Sequence, residues 1–231
     1  MDLQTVSVLF YVPKKHFSVR AFRGAIGRMV GDDKVAFHQH LPDEGERKQY
    51  QNSYPLIQYR KVSPNMAEIL FIGSATEQIK HIFGFGGNPR LMLEGEEVRI
   101  RIRDMRMDTH TLQHAGKDNL HRYRLSAWLG LPKPELEQAY LLAPDAEAQK
   151  RVLEAQLANN IFKFARGVDW HIKENGEGFS VQVEEVGEPV VVYPKPHFPT
   201  RAFDLTFSTE LCLPPVGIGK LASFGYGRVS K

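Results

Sequence analysis

The chain carries a single cysteine, Cys212, so it holds no internal disulfide, and this scarcity fits a reducing cytoplasm. It has no apolar run near the roughly 18 residues a membrane-spanning helix needs, and its first residues do not form a signal-peptide pattern. No membrane partner is therefore expected. Heptads and low-complexity tracts are missing too. Excess charge is small: 30 Lys and Arg against 27 Asp and Glu leave +3, although the pI is about 8.9. Such a balance does not by itself indicate a nucleic-acid partner, so the placement of the charges has to decide. The glycine-rich stretch from Gly217 to Arg228 lacks the Gly-Lys-Ser/Thr spacing of a P-loop, and no βαβ unit follows it as a dinucleotide fingerprint requires. The group Asp108, His110, His114 and His121 has no Glu beside its first histidine, which excludes the helical metalloprotease motif and leaves a solvated linker as its reading.

What is present is an ordinary globular composition, 42% hydrophobic over 231 residues, enough for one large core or two small ones. Val6, Val8, Phe10 and Val12 alternate and predict a strand over 4–12. Ser18 is a suitable N-cap, and Phe22, Ala25, Ile26, Met29 and Val30 recur at helical spacing until Gly31. Residues 54–62 and 66–72 read as paired strands. Ser74 opens a helix to about Gly84, and Glu97 to Met107 reads as one strand with Arg99, Arg101 and Arg103 on its outer face. The order β-α-β-β-α-β is the ferredoxin-like arrangement, shared by RNA-recognition modules and by many unrelated proteins. Asp108 to Asn119 reads as a linker. Beyond it come a strand over 120–129, a long helix capped near Asp145, and strands over 179–186, 189–193 and 201–213. The fold class is thus α+β with two tandem ferredoxin-like (RRM-like) domains, 1–108 and 120–231, the second a degenerate repeat of the first.

Three groups of residues are candidates for chemistry. On an extended segment His38 and His40 point to the same side, and two imidazoles side by side suit general base and general acid near neutral pH. The same spacing is compatible with two polar loop residues, or with a metal site that lacks an obvious third ligand. Tyr50, Tyr54 and Tyr59 follow closely; a tyrosine orients a phosphate, stacks on a base, or simply edges a core. The basic residues form the third group. Arg20, Arg23 and Arg28 line one side of the first helix, and Arg99, Arg101 and Arg103 serve equally as a phosphate groove or as an edge strand's charged face. In the last stretch, Gly217, Gly219, Gly225 and Gly227 flank Lys220 and precede Arg228, which reads either as an anion-facing loop or as a structural turn.

Several of these stretches resemble one family, the CRISPR-associated endoribonucleases that cut precursor CRISPR RNA within its repeats (the Cas six family of the RAMP superfamily). Gly217-Ile218-Gly219 and Gly225-Tyr226-Gly227, five residues apart, are similar to its paired glycine triplets. Phe37-His38-Gln39-His40 and Tyr54-Pro55-Leu56-Ile57-Gln58-Tyr59-Arg60 resemble the His-Asn-His and Tyr-Pro-Leu-Ile-Gln-Tyr-Lys elements of one branch. Leu157 to Gly167 is similar to that branch's Gly-Asn-Ile-Leu-x-Phe-Ala-Lys-Gly helix. The resemblance implies two tandem ferredoxin-like domains with RNA in the groove between them and metal-independent cleavage by a histidine of the first domain. On that basis His40, His38, Tyr54 and Tyr50 are the expected catalytic group. Arg20, Arg23, Lys48, Gly217, Gly219, Lys220, Gly225, Gly227 and Arg228 are the expected RNA contacts, with no metal and no cofactor. Repeat RNA is the implied partner; a CRISPR effector complex and a homodimer are open options. Two rivals remain at this stage: an RNA-binding RAMP subunit that does not cut, and a metal-dependent phosphoesterase using His38 and His40 as ligands.

Overall fold

The alternation of Val6, Val8 and Phe10 builds β1 (Asp2–Tyr11), whose inward side chains are fully buried. A computed structural model describes residues 1–31, 37, 54–86, 88–116, 118–172, 178–195 and 197–231. The chain divides into two compact units. One comprises Asp2–His110 with Ser223–Gly225; the other comprises Met1, Thr111–Ala222 and Tyr226–Lys231.

In the unit built on Asp2–His110, β1 is followed by α1 (Val19–Val30). Ser18 caps α1, its Oγ accepting from the Ala21 N–H at 3.0 Å, and Gly31 ends it with φ 105°, its N–H donating to Gly27. The stripe Phe22, Ala25, Ile26 and Val30 lies against the apolar face of the sheet. Next come β2 (Ile57–Ser63), β3 (Met66–Ile72), a 3-10 segment (Gly73–Gln78), α2 (Ile79–Phe83), β4 (Arg90–Leu93), β5 (Glu96–Arg99) and β6 (Arg101–Thr111). The sheet order is β2-β3-β1-β6, with β1–β3 and β2–β3 antiparallel. The last strand thus lies beside the first, as the ferredoxin-like arrangement requires.

Three sequence expectations change here. The helix expected from Ser74 begins as a 3-10 segment with no side-chain cap, within which Thr76 Oγ1 donates to the Gly73 carbonyl at 2.8 Å. The single strand expected over 97–107 is two, since β5 turns back on β4 in a hairpin through Glu94 and Gly95 while β6 joins the main sheet. The expected linker after Asp108 is structured. β6 runs to Thr111, His110 Nε2 sits 3.0 Å from Thr5 Oγ1, and Leu112 is buried and pairs with Met1.

The other unit repeats the plan with β7 (His121–Trp128), α3 (Pro134–Leu141), α4 (Ala146–Gly167), β8 (Val181–Val186), β9 (Val190–Lys195), β10 (Phe198–Thr209) and β11 (Arg228–Ser230). Its sheet order, β11-β7-β10-β8, again sets the last strand beside the first, with β9 paired to β10. Asp145 caps α4 through the Ala148 N–H at 2.7 Å, and Leu153, Leu157, Ile161, Phe164 and Ala165 form its buried stripe. Pro134 opens α3 at a position where a missing N–H costs nothing. Between β10 and β11, where the plan has a second crossover helix, the chain has the glycine-rich stretch and one short 3-10 turn (Ala222–Phe224). Both units are therefore ferredoxin-like, and the fold is α+β. No helix among the described residues is long and apolar enough to cross a membrane.

Candidate functional site

His38, His40, Lys48 and Tyr50 lie outside the described residues. The residues that bracket them are described, and both are buried aromatics. Phe37 is 1% exposed and meets Phe71 and His81 edge-on at 6.1 and 6.4 Å. Tyr54 is 8% exposed, and its hydroxyl accepts from Gln58 Nε2 at 2.8 Å, while the same amide donates to the Pro55 carbonyl at 3.3 Å. Burial drives the Tyr54 phenol pKa far up, only partly offset by the Gln58 hydrogen bond. A phenol in that state stays neutral near pH 7, so its chemistry is to hold a group in place rather than to take a proton. Tyr59, four residues after Pro55, is a core residue: its ring meets Phe22 edge-on at 6.3 Å, and burial raises its pKa as well.

α1 turns Arg20 and Arg23 to the same side, three residues apart. Arg23 is held by protein groups: Nη1 donates to Ser223 Oγ at 3.0 Å, Nε donates to the Phe37 carbonyl at 3.4 Å, and the guanidinium lies 4.6 Å from the Phe224 ring centre. Desolvation lowers its pKa, opposed by Tyr59 and reinforced by the neighbouring Arg20. Arg20 is exposed, with its guanidinium 5.7 Å from the same Phe224 ring. These contacts give Arg23 a structural load. Arg23→Ala is expected to destabilise its unit by about 2 kcal/mol, from a charged hydrogen bond and a cation–π contact. Thermal melting of the RNA-free protein checks this; an unchanged midpoint would return Arg23 to a purely ligand-facing role.

The glycine-rich stretch closes on itself. The two triplets clasp through Ile218 N–H donating to the Gly227 carbonyl at 2.8 Å, an isolated bridge joins Gly217 to Arg228, and Ile218 between them is buried. Gly219 has φ 90°, and a Cβ there would lie 2.7 Å from Trp128 Nε1 and 2.9 Å from Asn160 Oδ1. Gly227 has φ 66°, and its Cβ would overlap the Ile218 carbonyl oxygen. A Cβ on Gly225 would come within 3.1 Å of the Tyr59 carbonyl. Each of these glycines thus has a protein neighbour that requires it, quite apart from any ligand. Lys220, between the triplets, is exposed and its Nζ donates to the Pro132 carbonyl at 3.3 Å; Leu221 beside it adopts φ 60°. Arg228 is exposed on β11 opposite Ser126, and partial burial lowers its pKa.

Two residues that hold the loop were not singled out by sequence reading. Asn160 is 5% exposed and its Nδ2 donates to the Gln156 carbonyl; Trp128 is fully buried, with its indole nitrogen beside Gly219. The available signal for Asn160 was a polar residue inside the apolar stripe of a long amphipathic helix. Trp128 offered none, because a tryptophan ending an apolar strand is an ordinary core residue. Among the described residues no three His, Cys, Asp or Glu side chains are grouped to hold a metal ion. His110 contacts Thr5, His114 Nδ1 accepts from the Gly116 N–H, and His121 faces Cys212.

With this geometry in hand, known proteins supply a frame. Residues 1–111 match the family model of the Cas6b N-terminal domain and residues 115–231 that of the Cas6b C-terminal domain. No curated protein matches the chain. Among solved structures, a crystal structure of Cas6b superposes with a TM-score of 0.80 at 21% identity, covering 100% of each chain. A CRISPR RNA processing endoribonuclease Cas6b follows with 0.65 at 20% identity, over 99% of this chain and 98% of that one. A type IV Cas6 crRNA endonuclease, Csf5, gives 0.51 at 18% identity over 98% of both. At these identities the structures establish the fold, while the two domain models together cover nearly every residue: the chain belongs to the Cas6b family.

Proposed function

We propose that this chain is the enzyme that cuts precursor CRISPR RNA within its repeats, leaving 2′,3′-cyclic phosphate and 5′-hydroxyl ends. It is an endoribonuclease of the Cas6 family, and the observation that carries the reading is the match of both Cas6b domain models, the first over residues 1–111, the stretch of sequence in which His38 and His40 fall. RNA brings its own nucleophile. One imidazole removes the proton of the 2′-hydroxyl beside the scissile phosphate, the oxygen attacks phosphorus, and the other imidazole protonates the departing 5′-oxygen. His40 and His38 take these two roles. Lys48 neutralises charge on the phosphorane, and Tyr50 and Tyr54 position the phosphate. The buried, hydrogen-bonded state of Tyr54 supports a positioning role over a proton-transfer role. Arg20, Lys220 and Arg228, all exposed, contact phosphates; Arg23 and Gly225 in one unit, and Gly217, Gly219 and Gly227 in the other, shape the RNA-facing surfaces of their own units.

Incubating the purified protein with its own repeat RNA in excess EDTA tests this, with the product ends read by mass spectrometry. Cyclic phosphate and 5′-hydroxyl ends are expected, and a single 2′-deoxy nucleotide just upstream of the cut should abolish cleavage while leaving binding nearly unchanged. Products bearing 5′-phosphate, or cutting that EDTA stops, would point to a metal-dependent phosphoesterase instead. Tight binding without any cutting would indicate a silent RNA-binding subunit.

A further inference from the structure

The hairpin of β4 and β5 places Arg90 directly opposite Arg99. Like charges facing each other across strands destabilise a sheet, so this pairing carries a cost in the free protein. Arg90 is partly relieved by Glu97, 3.6 Å away. The Arg99 side chain has no ion pair or hydrogen bond among the described residues, and neither do those of Arg101 and Arg103. Two other exposed strand arginines are paired, Arg106 with Asp104 at 3.0 Å and Arg122 with Glu184 and Glu185 at 2.6 and 3.4 Å, whereas Arg124 and Arg228 show no ion pair among the described residues.

The three arginines alternate across the junction where β5 ends at Arg99 and β6 begins at Arg101. Ile100 N–H, between the two strands, donates to the Pro89 carbonyl at 3.0 Å. Val98 and Ile100 are buried and Ile102 packs against the core, while Arg99, Arg101 and Arg103 are all exposed. Arg101 and Arg103 are alternate residues of β6, about 6.6 Å apart along the strand, and Arg99 stands two residues before Arg101 at the end of β5. No aromatic side chain interrupts this series, and stacking platforms for bases are made of aromatics. β6 ends its sheet and β4 and β5 are both edges of theirs, so charge guards all three, but an arginine directly opposite another adds a repulsion that edge protection does not need.

We propose that Arg99, Arg101 and Arg103 form a row that binds the RNA phosphate backbone outside the segment cut at His38 and His40. This rests on the function proposed above and extends the RNA contacts to a second basic face. The row reads charge and not sequence, because guanidinium–phosphate contacts carry no base information.

The experiment measures binding of full-length repeat RNA by fluorescence anisotropy across a salt series, for wild type and for the triple variant Arg99→Ala, Arg101→Ala, Arg103→Ala. Each lost phosphate contact lowers the slope of log K against log salt by about 0.7 to 0.9, so the triple variant should lose about 2 to 3. Affinity near physiological salt should fall roughly tenfold or more, while single-turnover cleavage at saturating RNA stays unchanged. The corresponding triple lysine variant should keep the slope, since a point charge suffices for phosphate. Arg106→Ala, which removes an already paired arginine, should leave it unchanged too. A wild-type slope in the alanine triple variant, or an equal loss in Arg106→Ala, overturns the proposal and leaves the row as edge protection or a protein-docking face. If the wild type neither binds nor cuts repeat RNA, the functional reading fails and this proposal fails with it. A wild type that does both, matched by the alanine variant, sinks the row alone.

Discussion

Replacing His38 or His40 by alanine is expected to slow single-turnover cleavage by roughly two to four orders of magnitude, the usual scale for removing a general acid or base. Affinity for repeat RNA should barely change, because phosphate contacts made elsewhere dominate binding. His40 is expected to show the larger loss. The double variant should be little worse than the worse single one, since two groups that act in the same proton-transfer step do not contribute additively. The two assays together separate the roles: a rate defect at saturating RNA with normal anisotropy places the imidazoles at the reacting atoms. If the double variant cuts at the wild-type rate, the assignment of the histidine pair is wrong even though the family membership stands.

Gly227→Ala is expected to destabilise the protein strongly. An alanine at φ 66° costs about 1–2 kcal/mol by itself. Its Cβ would also overlap the Ile218 carbonyl oxygen, and relief requires moving the backbone that donates from Ile218 to Gly227. Loss of that hydrogen bond, and of the packing of buried Ile218, brings the total to about 3 kcal/mol or more. For a chain of this size the melting midpoint should fall by roughly 6–12 °C. Gly95→Ala is the matched control: φ is 85°, yet no atom lies within 4 Å of the added Cβ, so only the conformational cost applies. Equal melting of the two variants would show that the clasp of the glycine triplets contributes nothing beyond backbone preference.

The glycine stretch also marks where sequence reading stopped. Its spacing suggested either an anion-facing loop or a turn, and nothing local decides between them. What the structure adds is that Trp128 and Asn160 arrive from β7 and α4 to occupy the space a Cβ at Gly219 would need, a demand that no local spacing shows. Arg23 has the same history. On a helical wheel it is one more basic residue on a wet face, while in the folded unit Ser223, Phe224 and the Phe37 carbonyl surround it. The candidate catalytic pair is a sequence inference and a proposal of function, since His38 and His40 lie outside the described residues.

Local chemistry by itself determined much of the scaffold. Ser18 and Asp145 announced the starts of α1 and α4, because a cap is an interaction with a backbone N–H only a few residues ahead. The alternation in β1 and the helical stripe of α1 were equally legible, because they report a periodicity carried entirely by neighbouring residues. What lies beyond that range was decided by tertiary structure. The β4–β5 hairpin divided a run that alternates without interruption, and the residues after Asp108 became ordered by pairing Leu112 with Met1. Strand partners, the neighbours that demand a glycine, and the difference between a paired and an unpaired arginine all depend on residues distant in sequence. No window along the chain contains both halves of such a contact, so only the fold decides it.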